Sequence, residues 1–154
     1  MRIVVVAVGK PRDRHLAAAI EEYETRAARY WPLSVAEVRE ASGRGVTPAD
    51  ARKKEGERLL ERVPDGASVL CCDERGDRLT SAEFAALLAQ ARDAARDVAF
   101  VVGGAFGLDD VVRRSASRSL QLAPWTLPHE LARLVLAEQL YRAGTIARGE
   151  PYHK

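Results

Sequence analysis

Apolar positions along this chain follow two rhythms: short unbroken runs, and stripes that recur every three or four residues. The segment RIVVVAV (Arg2–Val8) is a β-branched run closed by Gly9 and Pro11, the pattern of a strand buried on both faces and therefore of a central parallel strand. Behind it, Leu16, Ile20, Tyr23, Ala27 and Tyr30 recur at helical spacing. They predict an amphipathic helix from about Asp13 to Tyr30, charged on its other side and stopped by Pro32. LSVAEV (33–38) is a weaker strand candidate, and REASGRGVTP after it, with two glycines and scattered charge, is expected to be a loop.

Punctuation residues divide the rest. Thr47, Pro48 and Asp50 supply an N-cap, a first-turn proline and a capping-box acid, opening a helix to about Arg62. ASVLCCD (67–73) is a second β run, followed by the turn-like ERGD (74–77). Thr80 and Glu83 form another capping box, and Phe84, Leu87, Leu88 and Ala91 stripe the helix it opens. DVAFVVGG (97–104) reads as a third buried strand ending in paired glycines. A helical segment from about Leu108 to Ser117 leads to a short strand, SLQLA (119–123), and the loop PWTLPHE (124–130) opens a last helix. Strands alternating with helices throughout predict an α/β layer fold, with a mostly parallel sheet flanked by helices. With no repeat, linker or break in composition, one domain spanning 1–154 is expected.

Composition narrows the class. A chain of 154 residues buries roughly 68–70% of the surface its unfolded form exposes, enough for a core without staples. Cys71 and Cys72 are adjacent, a poor arrangement for an unstrained disulfide, so a reduced intracellular chain is expected. No apolar stretch approaches the ~20 residues that cross a bilayer, and Met1-Arg2 leads straight into a strand-like run without a signal-peptide pattern. A cytoplasmic protein with no membrane partner follows. Net charge is only +2, and the sole lysines are Lys10, Lys53, Lys54 and Lys154. Arginine's planar fork suits phosphate and base stacking, although a genome rich in G and C produces the same bias.

In open parallel sheets, ligands bind beyond the carboxyl ends of the strands. Three loops leave such ends: Cys72-Asp73-Glu74, Gly103 to Gly107, and Ala123 to Leu127. The glycines let backbone N–H groups approach a ligand, as a nucleotide cradle requires; paired glycines also serve as plain tight turns. Neither G-x-x-x-x-G-K-[ST] nor G-x-G-x-x-G occurs, and there is no G-x-S-x-G hydrolase elbow. His15, His129 and His153 are isolated and the cysteines lack a spacer, so no metal site is expected.

The last helix is unusual. Between Glu130 and Ala147 the apolar positions cover most of the circumference, so it must be buried on more than one side. The sheet provides one cover; a helix of the same chain or a second subunit provides the other, and a twofold homodimer is the commonest oligomeric solution. Glu138 and Arg142 are four apart, which by itself describes a helix pair worth ~0.2–0.5 kcal/mol. On a helix buried nearly all round, those charges need a partner, an interface or a ligand. His129 stands where it can cap or precede the helix, and Tyr152 and His153 sit in a polar tail.

Six stretches together, VAVGK, KEGERLL (54–60), VVGGAFGL (101–108), TLPHELAR (126–133), EQLYRA (138–143) and PYHK (151–154), resemble the small SPOUT-class RNA methyltransferases, specifically the RlmH family, over almost the whole chain. The resemblance implies a C-terminal trefoil knot, an exception to the rule against threaded loops, and a homodimer. It also implies S-adenosylmethionine as cofactor, held by Cys72, Gly103, Gly104 and the loop Leu122, Ala123, Pro124, Trp125, Thr126 and Leu127. Cys72 and Trp125 depart from the leucine and the other apolar residue usual there. The implied reaction methylates N3 of a pseudouridine in 23S ribosomal RNA, with the assembled large subunit or ribosome as substrate. The expected catalytic set is Arg142 to orient the base or phosphate with Glu138 holding it, Tyr152 to stack on or hydrogen-bond the base, His153 to accept the N3 proton, and His129. The alternatives are a non-catalytic nucleotide- or RNA-binding module of the same fold, and an α/β interaction domain without a ligand.

Overall fold

A computed structural model describes residues 1–153, with only the backbone of His153. Its elements are β1 (Ile3–Val8), α1 (Arg14–Ala27), β2 (Leu33–Val38), α2 (Pro48–Leu60), β3 (Ser68–Arg78), α3 (Ser81–Asp93), β4 (Val98–Val102), α4 (Asp110–Ser115), β5 (Arg118–Gln121), α5 (His129–Ala147) and a 3₁₀ turn, Pro151–His153. Both capping boxes form: the Thr47 and Thr80 hydroxyls accept from the backbone N–H of Asp50 and Glu83, whose carboxylates accept from the cap residues in return. Asp13 caps α1, accepting from the N–H groups of His15 and Leu16. No described helix is long and apolar enough to cross a membrane.

Every strand pair is parallel, in the order β2-β1-β4-β3-β5. Alternation of side chains along a strand feeds two cores. Val6, Val8, Val101 and Cys71 pack with Leu59 of α2 and Val112 of α4. Val5, Ala7, Phe100 and Leu70 pack with Leu88 of α3 and with Leu136 and Leu140 of α5. Double coverage explains the unbroken β-branched run of β1.

Two readings of the sequence are corrected. ERGD is strand instead of turn: β3 runs on to Arg78, and Cys72 and Asp77 both register with Leu120 of β5. The residues between form a bulge, a device that re-aims side chains at a sheet edge. The last strand ends at Gln121 instead of Ala123, which leaves Leu122 and Ala123 to the loop. For α5, the covers observed are α1 and α3 of the same chain, while Leu131, Leu134 and Val135 remain half-buried. Its buried Arg133 donates from Nε to Glu24 (2.8 Å) and from Nη1 to Glu37 (2.7 Å).

Candidate functional site

The carboxyl ends of β3, β4 and β5 open into one cavity of about 1020 Å³. Three segments wall it: the β3 bulge at Cys72 to Arg75, the glycine loop at Gly103 to Asp110, and the crossing from Leu122 to His129 that enters α5. The paired glycines allow the walls to come this close. A Cβ at Gly103 would lie 2.8 Å from the backbone carbon of Gly107, and one at Gly104 would lie 2.8 Å from Glu55 Oε2. The crossing loop is tied to the bulge, since Thr126 Oγ1 donates to Glu74 (3.0 Å) and Gln121 Nε2 donates to the Glu74 carbonyl (2.8 Å).

Ionised groups sit among these walls. Asp73 accepts from Arg113 Nε (2.7 Å) and from the Arg75 N–H (2.9 Å). Burial raises its pKa, but those hydrogen bonds outweigh burial and hold the carboxyl below its usual range. Arg113 also binds Asp110 (3.0 Å). Cys72 faces the cavity as a neutral thiol, its pKa driven well above the usual value by burial. Beneath Gly104, Glu55 is 4% exposed. Its Oε1 accepts from the Ala41 N–H (2.9 Å), while Oε2 has no hydrogen-bond partner. Burial pushes this carboxyl up.

A second cluster forms on the outer part of α5. Glu138 Oε1 accepts from Arg142 Nε (3.0 Å) and Nη2 (2.6 Å) and from the Tyr152 hydroxyl (3.1 Å), while Oε2 accepts from Gln139 (2.7 Å). The Tyr152 ring lies 4.5 Å from that of Tyr141 and 4.8 Å from the Arg142 guanidinium, and its hydroxyl is 3.4 Å from that of Tyr23. Burial, the Tyr23 contact and the Glu138 carboxylate all push the Tyr152 phenol up.

The expected residues therefore fall into two groups. Cys72, Gly103, Gly104, Leu122, Ala123, Trp125, Thr126, Leu127 and His129 all line the cavity, and Pro124 does not. Arg142, Glu138 and Tyr152 stand together outside it. The side chain of His153, and Lys154, lie outside the described residues. Sequence reasoning missed Asp73 with Arg113, whose pairing spans 40 positions, and Glu55, which lies inside KEGERLL and carried no role there. Among the described residues, no group of three or more His, Cys, Asp or Glu can hold a metal.

Comparison with known proteins adds ancestry. A family model described as Predicted SPOUT methyltransferase matches residues 1–153. The Ribosomal RNA large subunit methyltransferase H of Gemmatimonas aurantiaca is 56% identical over 154 residues, all of both chains. Its namesake from Geobacter metallireducens is 44% identical over 99% of each. Among solved structures, the tRNA (m1G37) methyltransferase from Aquifex aeolicus matches with a TM-score of 0.55 at 13% identity, over 92% of this chain and 70% of that one, which is a likeness of fold.

Proposed function

The chain belongs to the SPOUT methyltransferase family, and on that premise we propose that it methylates N3 of a pseudouridine in large-subunit ribosomal RNA, using S-adenosylmethionine. The observation that carries the reading is the cavity: loops distant in sequence meet beyond the strand ends, and eight of the nine residues expected at a cofactor line it. The relatives' names support ribosomal RNA as the substrate.

The residues present fit the cofactor. Leu122, Leu127 and Val102 give apolar wall for an adenosine, and Glu74 and Asp109, which form no ion pair among the described residues, leave negative charge for a cation. Backbone at Gly103 and Gly104 closes the cradle that a side chain would fill. A protonated Cys72 is also required, because a thiolate there would compete for the methyl group. When bound, S-adenosylmethionine supplies a methyl already activated on a sulfonium.

The protein's own task is to align the acceptor nitrogen and take its proton. Arg142, fixed by Glu138, orients the base; Tyr152 stacks on it; His153, an imidazole able to take up a proton, accepts the N3 proton; His129 lines the cavity. Because Arg142 and Tyr152 stand apart from the cavity of their own chain, we assign the complete site to a homodimer, with one chain's cluster facing the partner's cavity. The half-buried Leu131, Leu134 and Val135 of α5 support this. A trefoil threading of the crossing from β5 to α5, a single domain, a cytoplasmic location and action on the assembled ribosome belong to the same reading; the small net charge of +2 favours an assembled surface over free RNA.

Transfer of tritiated methyl to ribosomes lacking the modification tests the proposal. Label at the pseudouridine N3 is expected. Calorimetric binding of S-adenosylmethionine without any transfer would instead identify a non-catalytic module.

A further inference from the structure

Two aromatic side chains stand out in solvent at the mouth of the cavity. Trp125 is 77% exposed and Phe106 is 50% exposed, and both belong to the cavity wall. In the single chain, two large aromatics exposed on two loops of one cavity wall form the kind of apolar patch that marks a binding site.

Both sit on loops held by hydrogen bonds. Phe106 sits at the tip of a turn closed by the Gly107 N–H donating to the Gly104 carbonyl (3.0 Å). Trp125 precedes Thr126, which is tied to Glu74.

The charges around them are sorted. Each acid in the wall is engaged: Asp73 and Asp110 by Arg113, Asp109 as the cap of α4, and Glu74 by Thr126. Two basic residues in the same wall, Arg52 and Arg75, form no ion pair among the described residues. Aromatic faces beside uncommitted guanidinium groups are the combination that binds unpaired nucleotides, through stacking on any base and attraction to the backbone.

We infer that Trp125 and Phe106 form a stacking platform for unpaired RNA nucleotides at the cavity mouth, with Arg52 and Arg75 engaging their phosphates. This rests on the methyltransferase reading for its biological setting but not for its test. Trp31, the only other tryptophan, is 2% exposed with its indole N–H bound to the Leu140 carbonyl, so a stacking partner quenches the fluorescence of Trp125 alone.

Titrating the full-length protein with a single-stranded oligouridylate should quench this signal. Phe106→Ala should weaken binding roughly tenfold, and Trp125→Ala should abolish the quench. In ribosome methylation, Trp125→Ala should raise KM by a similar factor, and Trp125→Phe should restore most of it. An unquenched wild-type signal overturns the inference. So does a Trp125→Ala defect confined to S-adenosylmethionine affinity, which gives the ring to the cofactor, or a shift to monomer in sedimentation, which gives it to a second copy. Quenching by RNA in a protein that transfers no methyl leaves the platform standing and removes the methyltransferase reading.

Discussion

Arg133 is a guanidinium on α5, a helix whose apolar positions cover most of its circumference. Its position follows from two carboxylates, Glu24 on α1 and Glu37 on β2, that it joins to α5. With the Arg133 side chain only 8% exposed, removing it strands both acids in a poorly hydrated place. Arg133→Ala should cost about 3 kcal/mol, read as a lower urea midpoint at unchanged slope; a loss below about 1 kcal/mol would mean that water replaces the arginine. Glu55 poses the opposite case, a buried acid with an oxygen lacking a partner. Burial raises its folded pKa, with Glu40 acting in the same direction and the Ala41 N–H, Arg58 and His129 opposing. The folded form therefore holds the proton more tightly than the unfolded form. The stabilisation is complete below the ordinary glutamate range and is lost as pH rises through the raised value. Glu55→Gln keeps an acceptor for the Ala41 N–H and carries no charge. It should be more stable than the parent at neutral pH, and denaturation across about pH 4 to pH 8 should show the difference closing toward acid. A constant offset across that range would reject the account.

At the scale of elements, local signals were legible where chemistry is local. The capping boxes at Thr47 and Thr80, the run of β1 and the stripe of α1 each depend on residues a few positions apart, and each formed. The β3 bulge was not legible, because ERGD carries turn residues and becomes strand only through pairing with β5, more than 40 positions on in sequence. Gly76 shows the constraint: a Cβ there would come within 2.6 Å of the Leu120 backbone nitrogen. Nor could spacing reveal that Arg142 and Tyr152 stand clear of the cavity, since that depends on how α5 lies across the sheet. The final turn has its own test. Tyr152 rests on Tyr141 and meets Glu138, contacts at the end of the chain that the two cores do not need. Deleting Pro151 to Lys154 should therefore reduce methyl transfer to background while circular dichroism and S-adenosylmethionine affinity stay near those of the parent. Retained transfer would return the tail to a plain structural role.

Across the whole molecule, the separation between cavity and cluster decides how the protein must be built to work. If each site combines the cavity of one chain with Arg142 and Tyr152 of another, two different inactive variants should repair each other. Gly103→Val fills the cradle, because its first carbon already meets the Gly107 backbone; Arg142→Ala removes the group that Glu138 holds. Each alone should be inactive. In an equal mixture after subunit exchange, random pairing makes half of the dimers mixed, and each mixed dimer has one intact cavity facing one intact cluster. Activity should then recover to about a quarter of the parent's at equal protein concentration, given a twofold interface with two equivalent sites. A site completed within one chain predicts no recovery at all, because every chain in the mixture lacks one half. The measurement also separates folding from function: Gly103→Val must still exchange subunits, which sedimentation of differently tagged chains reports independently of methyl transfer.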